Sequence, residues 1–234
     1  MDNLFNIPSL KILHPKNPGR REFLKKIPPN STIAEIGVHE GAHAKLMREI
    51  CKPKEFVLVD CWKFVGGIET DEWKKIIDNR YQKVVDEFQE STIIKGFSHD
   101  VANNFTDGYF DAVYIDASHS YKDVYQDISL WYPKIKSGGI ICGHDFCFSN
   151  NRKLDKSNWK ELSPIDMWIT PVSGSFCVGE QSTNSAHGNG DVITAVFEFA
   201  EKMKLDLEIY YQSSKYHEGK LRMIESYEWL MIKK

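Results

Sequence analysis

The chain has 234 residues, a length typical of one large domain or of a domain with a sizeable insertion. Hydrophobic residues make up 41% of it and charged residues 27%, as in ordinary soluble globular proteins, so fibrous and disordered classes are excluded. The 33 acids and 30 bases give a net charge of −3. This balance argues against binding to nucleic acid or to an anionic membrane, and it favours a small-molecule partner.

The five cysteines form an odd count without a CxxC pair, and most of them lie in or beside apolar runs. We interpret them as free thiols in a reducing compartment. The chain has no apolar run of signal-peptide length and none of the roughly 20 residues that span a membrane. A cytoplasmic protein is therefore expected. The cysteines are Cys51, Cys61, Cys142, Cys147 and Cys177.

An irregular leader is expected before Pro18, which opens a short helix that Pro28 and Pro29 end. Short apolar runs then alternate with segments in which apolar residues recur at i, i+3 and i+4. This pattern predicts strands that alternate with helices. Asp123 and Asp127 lie four apart on one helix and are expected on its solvated face. The predicted strands span residues 32–38, 55–60, 91–96, 110–116 and 138–145, and the helices between them span 42–51, 71–90 and 121–135.

The alternation breaks after the fifth strand. Residues 146–190 are rich in Ser, Asn and Gly, and we expect them to form a lid over the site that supplies substrate specificity. A helix is predicted over residues 191–204, followed by strands over 205–212 and 222–234. The turn between these two strands is short and polar rather than helical, so the strands are expected to pair antiparallel.

These elements together predict a doubly wound, Rossmann-like α/β fold. Apolar strands that alternate with helices suit a parallel sheet covered on both faces, and the closing hairpin adds two more strands. We therefore expect a single domain over residues 1–234, with a leader and first helix over 1–30.

The segment AEIGVHEG contains the first strand and the turn that follows it. Glu35 lies inside the strand, Gly37 just past it, and Gly41 at the start of the next helix. Such a turn lets a ligand approach the backbone and the N–H groups of the helix. Compared with the dinucleotide fingerprint GxGxxG, His39 replaces the second glycine. The negative charge of Glu40 disfavours binding of a phosphate group at this turn.

Asp60 ends the second strand, the position from which an acid can bond the hydroxyls of a ribose. Together with the preceding turn it favours a neutral or cationic nucleoside, a description that S-adenosylmethionine (SAM) fits. The alternative is that any strand-to-helix turn needs glycine and that Asp60 only caps its strand.

Four ionisable residues follow the fourth and fifth strands. Asp116 ends the fourth strand, His119 lies in the same turn, and His144 and Asp145 end the fifth. Because ligands of such sheets bind beyond the carboxyl ends of the strands, these side chains are catalytic candidates, with either histidine as a general base. The alternative is structural: the two acids would end a strand and form a turn, and His119 would cap the next helix.

The chain resembles class I SAM-dependent methyltransferases. The resemblance rests on AEIGVHEGAHAKLM, FVLVDCW, YIDASHSYKDVYQDISLWYPKIKSGGIICGHDF and the closing hairpin, and it covers most of residues 32–234. The amino-acid sequence of the fourth and fifth strands is similar to that of macrocin-type sugar O-methyltransferases and, more distantly, to that of catechol O-methyltransferases. The resemblance implies a seven-stranded sheet in the order 3-2-1-4-5-7-6 with strand seven antiparallel.

The resemblance also implies residue roles in cofactor binding. Glu35, Gly37 and Gly41 would cradle the methionine part of SAM, and Asp60 would hold the ribose. Ser98 and His99 would contact the adenine, on which Trp62 would stack. The implied cofactor-binding residues are Glu35, Gly37, His39, Gly41, Asp60, Trp62, Ser98, His99 and Asp116.

In the metal-dependent O-methyltransferases that the chain resembles, Asp116 and Asp145 match two carboxylates that hold a divalent cation, expected to be Mg²⁺. Phe146 stands where the catechol enzymes place an amide, so His119 or a water would be the third ligand. The competing mechanism needs no metal: His144 or His119 takes the proton of the acceptor.

The leading hypothesis from sequence is therefore a SAM-dependent methyltransferase that acts on a hydroxyl of a sugar or a small secondary metabolite. The alternatives are an NAD-binding Rossmann oxidoreductase and a non-catalytic SAM-binding partner subunit. The oligomeric state is left open, with a homo-oligomer as one option.

Overall fold

The computed structural model describes residues 7–13, 19–63, 69–146, 192–212, 216–217, 220–221 and 226–234. Apart from Phe146, the predicted lid lies outside the described residues, as do Cys147 and Cys177.

Ten strands lie within the described residues. They are β1 (Leu10–Leu13), β2 (Thr32–Ile36), β3 (Glu55–Asp60), β4 (Thr92–Lys95), β5 (Phe110–Ile115), β6 (Ile135–Gly143), β7 (Leu207–Gln212), β8 (Tyr216–His217), β9 (Lys220–Leu221) and β10 (Ser226–Ile232).

Six α-helices alternate with these strands in the described residues. Ser120 caps the fifth with its hydroxyl, which accepts the N–H of Asp123 at 3.2 Å. That helix ends at Trp131 and tightens into a 3₁₀ turn that contains Pro133, because proline cannot continue the α-helical hydrogen bonds. The helices are α1 (Gly19–Leu24), α2 (Ala42–Cys51), α3 (Asp71–Glu87), α4 (Ser98–Val101), α5 (Tyr121–Trp131) and α6 (Val192–Met203).

Eight of the strands form one sheet in the order β1-β7-β10-β6-β5-β2-β3-β4. Strand β10 runs antiparallel to both of its neighbours, β6 and β7. The remaining pairings in this sheet are parallel, and β8 and β9 form a separate antiparallel pair. From β4 to β7, and in the numbering of the predicted strands, the sheet has the expected order 3-2-1-4-5-7-6. Strand β1 adds one more strand beyond β7. The predicted Rossmann-like fold is confirmed.

Apolar side chains fill both faces of the sheet. Consecutive strand residues such as Val113 and Tyr114 enter opposite clusters, one packed by α5 and α6 and the other by α1, α2 and α3. Both residues are fully buried. Two buried faces explain why the strands appear in the sequence as continuous apolar runs rather than as alternating ones.

The first strand was not predicted. Residues Leu10–Leu13, expected to be part of an irregular leader, pair in parallel with β7, with Leu10 opposite Leu207. This strand covers the edge that β7 would otherwise expose. A run of four residues is too short to be recognised as a strand from the sequence. Its partner strand β7 also lies near the other end of the chain, so no local pattern links the two.

Three of the predicted free thiols lie in the described residues, and all three are unpaired: Cys51, Cys61 and Cys142. Burial raises the pKa of Cys51 to about 12, so this thiol is inert packing rather than a nucleophile. Among the described residues, no helix is both long and apolar enough to cross a membrane.

Candidate active site

The turn after β2 packs directly against the chain that leaves β5. Gly37 has a φ of 94°, and a Cβ added there would lie 2.0 Å from the carbonyl oxygen of Asp116. The two segments are also joined by the Asp116 N–H, which donates to the Ile36 carbonyl at 2.7 Å. Glycine is therefore required at position 37 for both conformation and space, and its turn lies beside Asp116.

Asp60 holds this turn to the loop after β3. Its Oδ2 accepts the backbone N–H of His39 at 2.7 Å, and its Oδ1 accepts the backbone N–H of Trp62 at 2.8 Å. His39 occupies the left-handed region with a φ of 55°. The residue that replaces the second fingerprint glycine therefore keeps a backbone conformation that glycine favours. Each carboxylate oxygen retains a second lone pair, which can accept a hydrogen bond from a hydroxyl of a ligand.

Trp62 stabilises the same turn through contacts of its side chain. Its side chain is 5% exposed and packs on Tyr81, with ring centroids 4.8 Å apart. Its Nε1 donates to the carbonyl of His39 at 2.8 Å. These contacts give Trp62 a positioning role and leave little surface on which an adenine could stack.

Glu35 is buried beneath the turn, and its exposed fraction is 1%. Its Oε1 lies 3.1 Å from Nδ1 of His43, on the first turn of α2. The His43 ring packs against that of Tyr114 of β5 in a tilted arrangement, with a centroid distance of 4.1 Å. The predicted cofactor residue Glu35 thus supports the turn through His43, a residue that no sequence pattern had indicated.

Gly41 and Glu40 shape the start of α2. A Cβ on Gly41 would lie 2.8 Å from the ring of Phe88, so the helix begins in close contact with the end of α3. Glu40 is exposed and pairs with Lys83 of α3 at 3.0 Å, and this hydrogen bond lowers the pKa of Glu40.

The predicted adenine contacts lie on α4. The hydroxyl of Ser98 accepts a hydrogen bond from Nε1 of Trp131 at 2.8 Å and also bonds the carboxylate of Asp127. His99 is exposed and stacks on Phe97 at a centroid distance of 5.6 Å. The side chain of Ser98 is thus engaged by α5, whereas that of His99 faces solvent.

Asp127 is buried rather than solvated, so the prediction for this residue was wrong. It is 5% exposed, and burial raises its pKa to about 6, helped by Asp123 and opposed by Ser98 and His99. Helical spacing put Asp123 and Asp127 on one face, and the sequence could not show that α4 covers part of it. Asp123 itself accepts hydrogen bonds from Ser118 and Ser120 at the start of α5.

The four predicted catalytic residues converge at the carboxyl ends of β5 and β6. Nε2 of His119 lies 3.0 Å from Oδ2 of Asp145 and 3.5 Å from Oδ1 of Asp116. Nδ1 of His144 lies 3.0 Å from Oδ1 of Asp145 and 3.9 Å from Oδ1 of Asp116. Two carboxylates therefore share two imidazoles, one on each side.

The two histidines differ in exposure. The side chain of His119 is 53% exposed, whereas that of His144 is 15% exposed. Burial opposes the charged form of His119, but hydrogen bonds to Asp116 and Asp145 outweigh it and raise its pKa to about 10. Burial by itself would raise the pKa of Asp145, yet hydrogen bonds from both histidines hold it well below its ordinary value. The pKa of Asp116 is lowered in the same way, mainly by His119.

The donor set fits a divalent cation. Asp116, His144 and Asp145 each offer a ligand atom, and these atoms all lie within 4.8 Å of one another. The two carboxylate oxygens suit Mg²⁺ or Mn²⁺, whereas the imidazole nitrogen is a ligand more typical of transition metals than of Mg²⁺. The nitrogen of this set belongs to His144, whereas the sequence pointed to His119 or a water as the third ligand.

A family model described as a methyltransferase domain matches residues 34–146. These include the glycine turn, Asp60 and the rim, our name for the four residues Asp116, His119, His144 and Asp145 at the carboxyl ends of β5 and β6. This match takes in just under half of the 234 residues. The chain also matches an uncharacterised protein of Acanthamoeba polyphaga mimivirus at 28% identity over 120 residues. The match covers 49% of the chain and 51% of the relative, so the chain spans about half the length of this relative.

Solved methyltransferases share the fold of this chain. A precorrin-6y C5,15-methyltransferase from Geobacter metallireducens has a TM-score of 0.53 at 13% identity, over 92% of this chain and 87% of its own. The N-methyltransferase NodS from Bradyrhizobium japonicum, solved with S-adenosyl-L-homocysteine (SAH), has a TM-score of 0.53 at 10% identity, over 92% and 85%. An O-methyltransferase from Bacillus cereus, also solved with SAH, has a TM-score of 0.51 at 11% identity, over 92% and 79%. At these identities the likeness shows the fold, and it does not select the acceptor atom.

Proposed function

We propose that this chain is a SAM-dependent methyltransferase that methylates a hydroxyl of a sugar or of a small secondary metabolite. The observation that carries the proposal is the contact between Gly37 and the backbone of Asp116. It brings the turn expected to bind the cofactor beside a rim of two carboxylates and two imidazoles. A methyl donor and a proton acceptor are needed side by side for this reaction, and the closeness of the turn to the rim supports such an arrangement.

The turn has features that suit a nucleoside with a cationic side chain. Asp60 bonds the backbone N–H groups of His39 and Trp62 and keeps lone pairs for ribose hydroxyls. The carboxylates of Asp116 and Asp145 add negative charge beside the glycine turn. A sulfonium is favoured at such a site over a pyrophosphate, and this is why SAM is proposed in preference to NAD.

The bound cofactor would supply a methyl group on a sulfonium, which an acceptor oxygen attacks in line. The C–O bond forms as the S–C bond breaks, and the acceptor proton must leave. Residues of the rim hold and move this proton: His144 can accept it, and Asp116 and Asp145 stabilise the imidazolium that results. His119, whose pKa is raised to about 10, can accept it only after losing the proton that it already carries near neutral pH. Most of the rate is expected from orienting the donor and the acceptor.

In the metal-assisted form of the proposal, Asp116 and Asp145 hold a divalent cation. The cation would lower the pKa of the acceptor hydroxyl, so less of the reaction would depend on an imidazole base. The choice of a hydroxyl acceptor is supported by the sequence resemblance to sugar O-methyltransferases and by the carboxylate pair, whose oxygens suit a cation that binds oxygen.

Calorimetry tests the cofactor first. We expect the full chain to bind SAH and SAM, and titrations without heat for either compound would remove the proposal. Methyl transfer from labelled SAM to a panel of sugars, phenols and amines would then identify the acceptor class, with and without EDTA. Transfer to amines alone would refute the hydroxyl acceptor. An increase in nicotinamide fluorescence on mixing with NADH would instead favour the oxidoreductase.

A further inference from the structure

The closing strand β10 contains a carboxylate that is wholly inside the protein. Glu228 has an exposed fraction of 0% and lies between Tyr227 and Trp229 in the run SYEWLMI. An ionised carboxylate in the interior costs several kcal/mol unless hydrogen bonds and opposite charge compensate it. An apolar residue at this position would avoid that cost, so the contacts of Glu228 indicate what it does.

The two oxygens of Glu228 face two different groups. Oε2 accepts a hydrogen bond of 2.7 Å from the hydroxyl of Tyr114 on β5. Oε1 lies 3.7 Å from Nε2 of His144, which is longer than a hydrogen bond but within the range of an ion pair. Tyr114 thus fixes the carboxylate, and the fixed carboxylate faces the inner edge of the His144 ring.

The opposite edge of the same ring faces the rim. Nδ1 of His144 lies 3.0 Å from Asp145 and 3.9 Å from Asp116. Because Nε2 and Nδ1 lie on opposite sides of the imidazole, a group that attracts Nε2–H also determines where Nδ1 points. The side chain of His144 is only 15% exposed, so packing preserves this orientation.

In many metal sites an outer carboxylate faces the second nitrogen of a metal-binding histidine, orients its imidazole ring and increases its basicity. Glu228 and His144 have this arrangement. We propose that Glu228 is a positioning residue that presents Nδ1 of His144 to a divalent cation held with Asp116 and Asp145. The nitrogen ligand of the site is then His144, and exposed His119 is not required as a ligand. This inference rests on the metal-assisted form of the proposed function.

The test uses Mn²⁺ alone as the probe, added to the full chain. Calorimetry gives the Mn²⁺ dissociation constant, and electron spin echo envelope modulation detects a ¹⁴N nucleus bound to Mn²⁺. We expect Glu228→Gln, which keeps the size of the side chain and removes its charge, to weaken Mn²⁺ binding about 10-fold or more. The ¹⁴N modulation should disappear in His144→Gln and persist in His119→Gln.

Two controls separate positioning from folding. Tyr114→Phe removes the hydrogen bond to Glu228 but leaves the carboxylate opposite His144, so it should lower thermal stability and weaken Mn²⁺ binding less than Glu228→Gln does. The SAH dissociation constant of Glu228→Gln should equal that of the wild type, which shows that the cofactor turn is intact.

The inference is overturned if Glu228→Gln binds Mn²⁺ as tightly as the wild type, or if His144→Gln retains the ¹⁴N modulation. Failure of the wild-type chain to bind Mn²⁺ also overturns it. In that case binding of SAH by the same sample would leave the proposed methyltransferase function in place, so the two failures can be told apart.

Discussion

Nε2 of His119 lies 3.0 Å from Oδ2 of Asp145, and this contact joins the loop after β5 to the end of β6. Asp145 has a φ of 51°, a left-handed conformation that Asp and Asn tolerate better than most residues. The carboxylate is therefore held at the rim by its backbone and by histidines on both sides. Replacing it with an amide changes its charge with little change of shape.

We expect Asp145→Asn to lower the rate of methyl transfer about 100-fold or more, whether it acts as a cation ligand or as the partner of a base. SAH binding, measured by calorimetry, should stay close to the wild-type value. Asp107→Asn is the control, because Asp107 is exposed and pairs with Lys134 away from the rim. A variant with full activity in the presence of EDTA would leave only a histidine mechanism that does not use Asp145.

Asp60→Asn should weaken SAH binding about 10-fold, because the amide can accept only one of the two backbone N–H groups that the carboxylate bonds. The side-chain amide nitrogen would face the N–H of either His39 or Trp62. Calorimetry with SAH measures the loss. Asp100→Asn is the matched control, since Asp100 lies on nearby α4 with its side chain 73% exposed. Equal affinities for the two variants would contradict a role for Asp60 in the nucleoside site.

Gly37→Ala should lower the free energy of unfolding by more than about 3 kcal/mol, because the new Cβ would lie 2.0 Å from backbone atoms of Asp116. Gly108→Ala provides the control. Gly108 also has a positive φ, 69°, but a Cβ there would meet no atom within 4 Å, so a loss of only about 1 kcal/mol is expected. Urea unfolding followed by tryptophan fluorescence measures both. Similar losses would mean that conformation, and not contact with Asp116, explains glycine at position 37.

Asp127 should make the protein less stable as the pH rises. Its pKa is about 6 in the folded chain and about 3.8 in the unfolded chain, so between these values the folded state binds the extra proton. Stability from this group is therefore present below about pH 4 and is lost as the pH rises through about 6, by roughly 3 kcal/mol at most.

The variant Asp127→Asn should remove that dependence. The difference in unfolding free energy between the variant and the wild type, measured by urea unfolding at several pH values from about 4 to about 8, should change up to about pH 6 and level off above it. A constant difference would show that Asp127 does not carry the raised pKa.

The sequence alone determined the order of elements and the parallel sheet. Strands buried on both faces need continuous apolar runs, and helices that cover a sheet need one apolar face. Both kinds of element therefore leave a local signal in the sequence. It also placed Asp116, His119, His144 and Asp145 at one edge, because the carboxyl ends of parallel strands always meet there. The turn residues Gly37 and Asp60 were recognisable for the same reason.

Only the tertiary structure decided which groups touch. The strand Leu10–Leu13, the burial of Asp127 by α4, and the contact of His43 with Glu35 all depend on partners brought close by the fold. Glu228 left one weak sign, an acid within an apolar strand, but its approach to His144 requires β10 to insert beside β6. Periodicity reports which face of an element is buried, whereas ion pairs and ligand sets depend on distances between elements that no local pattern encodes.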